Sequence, residues 1–489
     1  MRFACTVGVM RVTVIGTGYV GTVTGACLAY LGHAVTCVDT DAAKIAALQR
    51  GHSPIYEPGL DALLALAAEH GGICFTADLA PAVAESDFIF IAVGTPPLPD
   101  GQANLTYLEA AAHGIGRAMD TARFRVVVNK STVPVGCGNL VETLVREGIA
   151  ETNPHSLGTV KFGVASNPEF LREGSAIADS LYPDRIVVGT ADSATLAAMC
   201  ALYAPLIEQQ FAAPPAIPRP HGFAHVPLVA TSLTSAEMIK YAANAFLAMK
   251  IGFANEIANI CERVGAESTE VMQGIGLDSR IGPRFLNPGL GWGGSCFGKD
   301  IQALIATARD YRYDARLLPA ALEINAAQRH LAIQKLQEKI YILKGRTVGL
   351  LGLAFKPNTD DLRDAPSLTI AERLVQMGAR VRAYDPIAMP ACRAQRPDLK
   401  IRYCDSVVDL ATGSDALILV TEWDEFRRLD LASIAALMTT PILIDGRNVF
   451  TAAQASAAGV DYAAIGAPRQ SNSPQRHPLP VNADAESAF

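Results

Sequence analysis

The chain lacks several features, and each absence narrows its class. Its 10 cysteines include no CxxC pair and no Cys/His cluster, which argues against structural zinc, against any metal site and against a disulfide framework. Reduced thiols and a cytoplasmic location are the expectation, and a catalytic thiol would stay usable there. No uninterrupted apolar run reaches the roughly 18 residues that a membrane-spanning helix needs, so no membrane association is expected. The opening stretch MRFACTVGVMRVTVIG is too weakly patterned for a secretory signal. Met10-Arg11 echoes Met1-Arg2, so the ordered fold is expected to begin at Met10. With a net charge of −7 there is no strongly basic face, and nucleic acid is not an expected partner.

What is present points to several cores. A chain of 489 residues, 50% hydrophobic, is long for a single domain. Arg11–Ile15 reads as an apolar strand, followed by a glycine turn, a helix from Tyr19 to about Leu31, and a strand Ala34–Val38 ending at Asp39. That βαβ unit predicts a parallel, doubly wound sheet. Further strands are expected at Phe88–Val93, Arg125–Asn129, Lys161–Ala165 and Ile186–Val188. A proline-rich stretch without periodicity follows and reads as a linker. A long helix is expected from Ser235 to about Val264; its apolar face suits either a dimer surface or an internal core. From about Gly345, the segments RTVGLLGLAF, ARVRAYDP, DALILVTEW and PILIDGRNVF repeat the strand-to-loop pattern.

The fold class expected is therefore α/β, with two Rossmann-like doubly wound domains joined by a central long-helix domain. The boundaries expected are an N-terminal extension over 1–9, a dinucleotide-binding domain over 10–210 and a proline-rich linker over 211–233. A central helical domain over 234–330 and a second sheet domain over 331–466 follow. The tail 467–489, rich in Pro, Ser, Asn and Ala, reads as disordered.

Gly16-Thr-Gly18-Tyr19-Val20-Gly21 lies between strand and helix. Gly16 allows the tight turn, Gly18 lets backbone approach a pyrophosphate, and Gly21 permits close helix–strand packing. The helix N-terminus offers amide donors to phosphate. Asp39, about 20 residues on, suits the ribose hydroxyls. A carboxylate there repels a 2′-phosphate, and no arginine follows, so NAD is expected over NADP. Lys44 reads as an adenosine contact or as a solvated lysine. Thr95, in VGTPP after a strand, reads as a cofactor contact or as part of a proline turn.

The stretch Asn287-Pro-Gly-Leu-Gly-Trp-Gly-Gly-Ser-Cys296-Phe-Gly-Lys299-Asp300 holds four glycines within six residues. That is costly in entropy unless the backbone must approach something closely. A helix is expected from about Phe297. A thiol at its N-terminus, with Lys299 nearby, would have a lowered pKa. Lys240 and Asn244 share a helix face, as do Glu169 and Glu173. Paired carboxylates are costly to hold together, which suggests acid–base use, though a solvated helix start reads similarly. Thr132, at a strand end, suits a water or a nicotinamide amide. A thiol beside a nicotinamide site serves an oxidation that continues past the aldehyde: addition gives a thiohemiacetal, its oxidation a thioester, and water releases a carboxylate.

GTGYVG, VGTPP, NKSTVPVG, NPEFLREG, EMIKYAANAF, GPRFLNPGLGWGGSCFGKD, GLAFKPNTDDLRDAPS and DGRNVF, in this order over about residues 10–465, resemble the UDP-glucose/GDP-mannose dehydrogenase family. The resemblance implies NAD-dependent oxidation of UDP-glucose to UDP-glucuronate, with oxidation of GDP-mannose the alternative. It implies a dimerising central domain and a C-terminal UDP-binding domain. It makes Cys296 the nucleophile, with Lys240, Asn244 and Asp300 around the reacting carbon and Glu169 and Thr132 handling water. Glu173 would lie near cofactor and substrate. Phe170, Leu171, Arg172, Phe285, Leu286, Asn287, Pro288, Gly289 and Gly293 would line the sugar nucleotide. Lys356 and Arg447 would contact it from the second domain, Arg280 from the neighbouring subunit of a homodimer or larger homo-oligomer. Lys299 and Arg363 would face the cofactor side. Arg363 alternatively pairs with Asp360 or Asp361, and Arg447 alternatively anchors its loop. Gly298 stands where the family usually has proline.

Overall fold

The computed structural model describes residues 8–468, apart from 70, 71, 153 and 157. Two sheets carry the fold. The first holds β1 (Arg11–Ile15), β2 (Ala34–Val38), β3 (Ile73–Thr76), β4 (Phe88–Ile91), β5 (Arg125–Asn129), β6 (Phe162–Ser166), β7 (Ile186–Gly189) and β8 (Leu228–Thr231). Their order is β3-β2-β1-β4-β5-β6-β7-β8. β1 to β6 run parallel, β7 meets β6 antiparallel through Ser166 and Gly189, and β8 runs parallel to β7. β4 (FIFI) and β5 (RVVVN) are buried at every residue, as expected of strands covered by helices on both faces.

The second sheet holds β9 (Thr347–Leu351), β10 (Arg380–Tyr384), β11 (Arg402–Tyr403), β12 (Ala416–Leu419), β13 (Ile442–Asp445) and β14 (Asp461–Ala464). It is parallel throughout, in the order β11-β10-β9-β12-β13-β14. In each sheet the order reverses at one place, β1/β4 and β9/β12. Ligands of such sheets bind in the crevice beyond those strand ends.

A 32-residue helix, Leu233–Val264, joins the halves. The Ser232 side chain caps its start, accepting from the Ser235 amide, and Gly265 ends it in the left-handed region at φ 82°. Its inward face buries Glu237, Lys240, Tyr241, Asn244, Ala248 and Asn255. Phe246, Phe253 and Ile260, seven residues apart, are exposed along the same helix. The helices Phe297–Asp310 and Leu317–Lys339 pack beside it. No helix among the described residues is long and apolar enough to cross a membrane.

The structure departs from the sequence expectation in places. The stretch 211–233 is not a plain linker: Leu228–Thr231 pairs as β8, Tyr182 stacks on Phe211 and meets Phe223 edge-on, and Val226 is fully buried. The boundary expected at 330 falls inside the helix Leu317–Lys339. The short strands β3, β11 and β14 complete the two sheets. Most of the expected extension 1–9 and tail 467–489 lies outside the described residues.

Candidate active site

The dinucleotide loop is built as its glycines require. Gly16 has φ 98°, and a Cβ there would stand 2.6 Å from the Ala92 carbonyl oxygen. A Cβ on Gly21 would stand 1.8 Å from the Gly16 oxygen, while one on Gly18 would meet nothing within 4 Å. The backbone at Gly18 is thus open to a phosphate at the start of the helix Tyr19–Tyr30. Asp39 accepts from the Thr17 amide and hydroxyl, both at 2.7 Å, and from the Asp41 amide at 2.9 Å. Desolvation raises its pKa, but these hydrogen bonds and Lys44 outweigh it, and the carboxyl is held below its usual value. Lys44 itself lies 3.9 Å from Asp41 on the exposed face. These residues fit a dinucleotide with a free 2′-hydroxyl. Val20 packs toward the core beneath. The Thr95 hydroxyl donates to the Thr132 carbonyl at 2.7 Å, joining the loops after β4 and β5.

The chemical cluster draws on both halves. Lys240 Nζ donates to Glu169 Oε1 at 2.9 Å, and both side chains are buried. Asn244 Nδ2 donates to Asp300 Oδ2 at 2.6 Å. Lys299 Nζ donates to the other Asp300 oxygen at 2.5 Å. Cys296 stands just before the helix Phe297–Asp310 with no capping bond from its side chain, reaches the surface, and has its sulfur 3.6 Å from the Ser295 hydroxyl. The expected lowering of the thiol pKa is not found. Burial is the largest influence and raises it, Glu169 and Asp300 raise it further, and Lys240 opposes them. Lys299 is committed to Asp300, so the cation that steadies a thiolate is Lys240, 56 positions away in sequence.

The glycine loop before Cys296 is threaded through the second half. A Cβ on Gly289 would stand 2.8 Å from the Gly446 oxygen, and one on Gly293 2.4 Å from the Asp364 oxygen. Arg447 donates to Val420 O at 2.7 Å and Gly291 O at 3.1 Å, so it anchors this loop. Pro288 is buried and Asn287 exposed. Leu286 packs inward with Ala254 and Met272, which leaves its backbone, not its side chain, for a ligand. Phe285 holds φ 64°, a strained value for a bulky residue.

Glu173 joins the halves. It accepts from Arg363 at 3.0 Å and from the Thr359 hydroxyl at 3.3 Å. Burial, then Asp361, raises its pKa to about 7 against the pull of Arg363. Arg363 also pairs with Asp361 at 2.7 Å. Lys356 lies in the same cleft, its pKa lowered by burial and raised in part by Glu173. Arg172 pairs with Asp179 at 2.7 Å, and the Leu171 amide donates to Glu169. The Phe170 ring lies under Arg185 at 3.7 Å and Lys240 at 5.4 Å. Arg280 differs from this cluster in character: it is exposed and, among the described residues, pairs with Asp278 alone.

Sequence reasoning passed over Glu57, which is buried and accepts from the Tyr19 hydroxyl and from the amides of Gly174 and Ala176. It also passed over Asn325, which clamps the Trp292 backbone through Oδ1 at 2.7 Å and Nδ2 at 3.0 Å. Neither sits in a pattern that marks it; the acid in YEPGL is the only hint for Glu57.

A dinucleotide loop, a second nucleotide-type sheet and a thiol–lysine–carboxylate cluster between them define an NAD-dependent oxidoreductase. The chain belongs to the UDP-glucose/GDP-mannose dehydrogenase family, matching its NAD binding domain over residues 10–207, its central domain over 234–327 and its UDP binding domain over 349–452. It is 46% identical over 457 residues to the UDP-glucose 6-dehydrogenase YwqF of Bacillus subtilis (strain 168), covering 94% of this chain and 98% of that one. It is 43% identical over 465 residues to a UDP-glucose 6-dehydrogenase of Pseudomonas aeruginosa, covering 94% and 98%. The solved UDP-glucose dehydrogenase of the archaeon Pyrobaculum islandicum superposes with a TM-score of 0.83 at 38% identity, over 96% of this chain and all (100%) of that one.

Proposed function

We propose that the protein oxidises the C6 alcohol of UDP-glucose to the carboxylate of UDP-glucuronate, in four electrons, through intermediates on Cys296. The observation that carries this is the meeting of Cys296 with the buried Lys240–Glu169 and Asn244–Asp300 pairs where the two halves converge. NAD, held by Gly16, Gly18, Tyr19 and Asp39, would supply the hydride acceptor for C6, for the alcohol and again for the thiohemiacetal. Asp300 and Lys240 handle the proton of the C6 hydroxyl in the first step. The raised pKa of the Cys296 thiol favours its neutral form at rest. Its sulfur bonds to the aldehyde carbon as its proton moves, by way of the Lys240 ammonium, to the aldehyde oxygen. Lys240 and Asn244 donate to the oxygen that carries negative charge in each addition. Water then attacks the thioester, held by Glu169 and Thr132; the Glu169 carboxylate takes its proton, and the carbon–sulfur bond breaks.

Gly16, Gly18, Tyr19, Asp39, Thr95 and Lys299 form the NAD side, and Lys356, Arg447 and the loop 285–293 the UDP-sugar side. The exposed stripe Phe246, Phe253 and Ile260 supports a homodimer or larger homo-oligomer, with Arg280 reaching the neighbouring site. A reducing, cytoplasmic setting suits the free thiol. Initial rates with UDP-glucose and GDP-mannose test the substrate. UDP-glucose is expected to have the higher kcat/KM by at least about tenfold; the reverse order overturns the assignment.

A further inference from the structure

Behind Glu169 lies a cavity of about 80 Å³ that the chemistry above leaves unused. One wall is polar, with Lys130, Asn167, Glu169, Asp179, Arg185 and Tyr203 on it, and the other is apolar, with Leu28, Leu31, Phe170 and Leu206. Its size and its polar wall admit water. Lys130 follows β5 and Asn167 follows β6, so the sheet fixes both. Lys130 Nζ donates to Asn167 Oδ1 at 3.1 Å, and the same oxygen accepts from the Tyr203 hydroxyl at 2.6 Å. Asn167 Nδ2 donates to Val187 O at 2.7 Å, which locks the amide's orientation. An ammonium has three donors, and Asn167 supplies one acceptor.

Lys130 is not needed to neutralise Glu169, which already has Lys240 at 2.9 Å. Its surroundings also discourage a fixed charge. Burial is the largest influence and lowers its pKa to about 8, with Glu169 opposing and Lys240 adding to the fall. The charged and titratable groups around it are Glu169 after β6, Lys240 on the long helix, Cys27 on the first helix, Asp179 on the helix Ala176–Leu181, Arg185 before β7 and Tyr203 on the helix Ser193–Ile207. An amine that loses and regains its proton near neutral pH, and that shares the polar wall of this cavity with Glu169, is suited to proton transfer.

We propose that Lys130 is a positioning residue for thioester hydrolysis, receiving through cavity water the proton that Glu169 takes from the attacking water. This rests on the reading of Glu169 as the hydrolytic base. In the step, the water oxygen bonds to the acyl carbon, the carbon–sulfur bond breaks and the Cys296 thiolate leaves. One water proton passes to Glu169, then by cavity water to the neutral Lys130 amine, and from its ammonium to solvent; the other, left on the new carboxyl group, passes to the Cys296 thiolate, so the step yields the carboxylate and the neutral thiol. Glu169 is thereby recharged beside Lys240 for the next cycle.

The test uses the full chain with NAD and UDP-glucose, comparing wild type with Lys130→Met and Lys130→Arg. Both variants are expected to release two NADH per subunit in a first burst, then to turn over at least about tenfold more slowly. Intact mass should show a glucuronyl thioester accumulating on Cys296. Wild-type kcat should rise with pH through about 8, and both variants should lose that inflection. Lys130→Arg keeps size and charge, so full rescue by it would mean a structural role and overturn the proposal. So would either folded variant that accumulates no thioester or retains the inflection. A wild type that yields only one NADH per UDP-glucose overturns the parent reading and this one with it.

Discussion

The two sheet domains begin alike and end differently. β1 and β9 each run into a glycine in the left-handed region, Gly16 at φ 98° and Gly352 at φ 99°. In each case a Cβ would strike the segment after the strand across the switch point, Ala92 O at 2.6 Å or Thr421 Cβ at 2.4 Å. Each next strand ends at an aspartate, Asp39 or Asp385. There the likeness stops. In the first half the helix starts at Tyr19, three residues past the glycine, and Asp39 keeps part of its surface accessible. In the second half the helix waits until Pro366, and the long loop between carries Lys356 and Arg363 out toward Glu173. Asp385 is fully buried and spent on the amides of Leu353, Ala354, Ile387 and Ala388 and on the Trp423 indole. The corresponding carboxylate is thus left partly accessible in one half and fully consumed by the fold in the other.

Four changes break or sharpen that contrast. Asp385→Ala leaves several buried donors without an acceptor, and should destabilise by about 3–5 kcal/mol; a fall in Tm or in the urea midpoint reads it. Asp39→Ala removes an acceptor from an accessible site. It should raise the KM for NAD by about 10- to 100-fold, the value of a charge-assisted hydrogen bond, with a far smaller change in Tm. If Asp39→Ala unfolds the chain and Asp385→Ala alters only substrate binding, the contrast is wrong.

The contact between the halves gives the third. Glu173 has its pKa raised to about 7, so the folded chain binds its proton more tightly than the unfolded chain does. Its contribution to stability is fully present below about pH 4.5, is lost at up to about 1.4 kcal/mol per pH unit as pH rises from there to about 7, and changes little above that. Glu173→Gln should flatten this part of the stability–pH curve, which thermal melts between about pH 4 and 8 would show. The smallest effect falls on the thiol helix between the halves. A Cβ on Gly298 meets only the Trp292 ring at 3.5 Å and lies 4.0 Å from Asp364. Gly298→Ala should stabilise by about 0.5–1 kcal/mol, read as a rise in Tm, with kcat little changed.

The sequence made the first half legible because its strands are β-branched runs bounded by glycine and aspartate. β1, β2 and β5 fall where the pattern places them. β8 was hidden: it is an edge strand with an exposed middle, set in a proline-rich stretch, and so carries no period. The likeness of Asp385 to Asp39 was also invisible, since only tertiary structure reveals that its donors come from three loops. At the site, the residues were legible but their electrostatics were not. Lys299 is the nearest cation to Cys296 in sequence, yet Asp300 takes it. The thiol's neighbours in space, Lys240 and Glu169, arrive from a helix and a loop far along the chain. Glu57, Asn325 and Lys130 act through contacts that no local spacing encodes.

Counting NADH released per UDP-glucose consumed, in wild type and in Cys296→Ser, tests most directly whether Cys296 carries a four-electron oxidation between these two halves. Two NADH per UDP-glucose are expected for wild type, and for the variant a turnover lower by on the order of 10⁴-fold or more. One NADH per UDP-glucose in wild type, or a variant that still yields two at an undiminished rate, would contradict it.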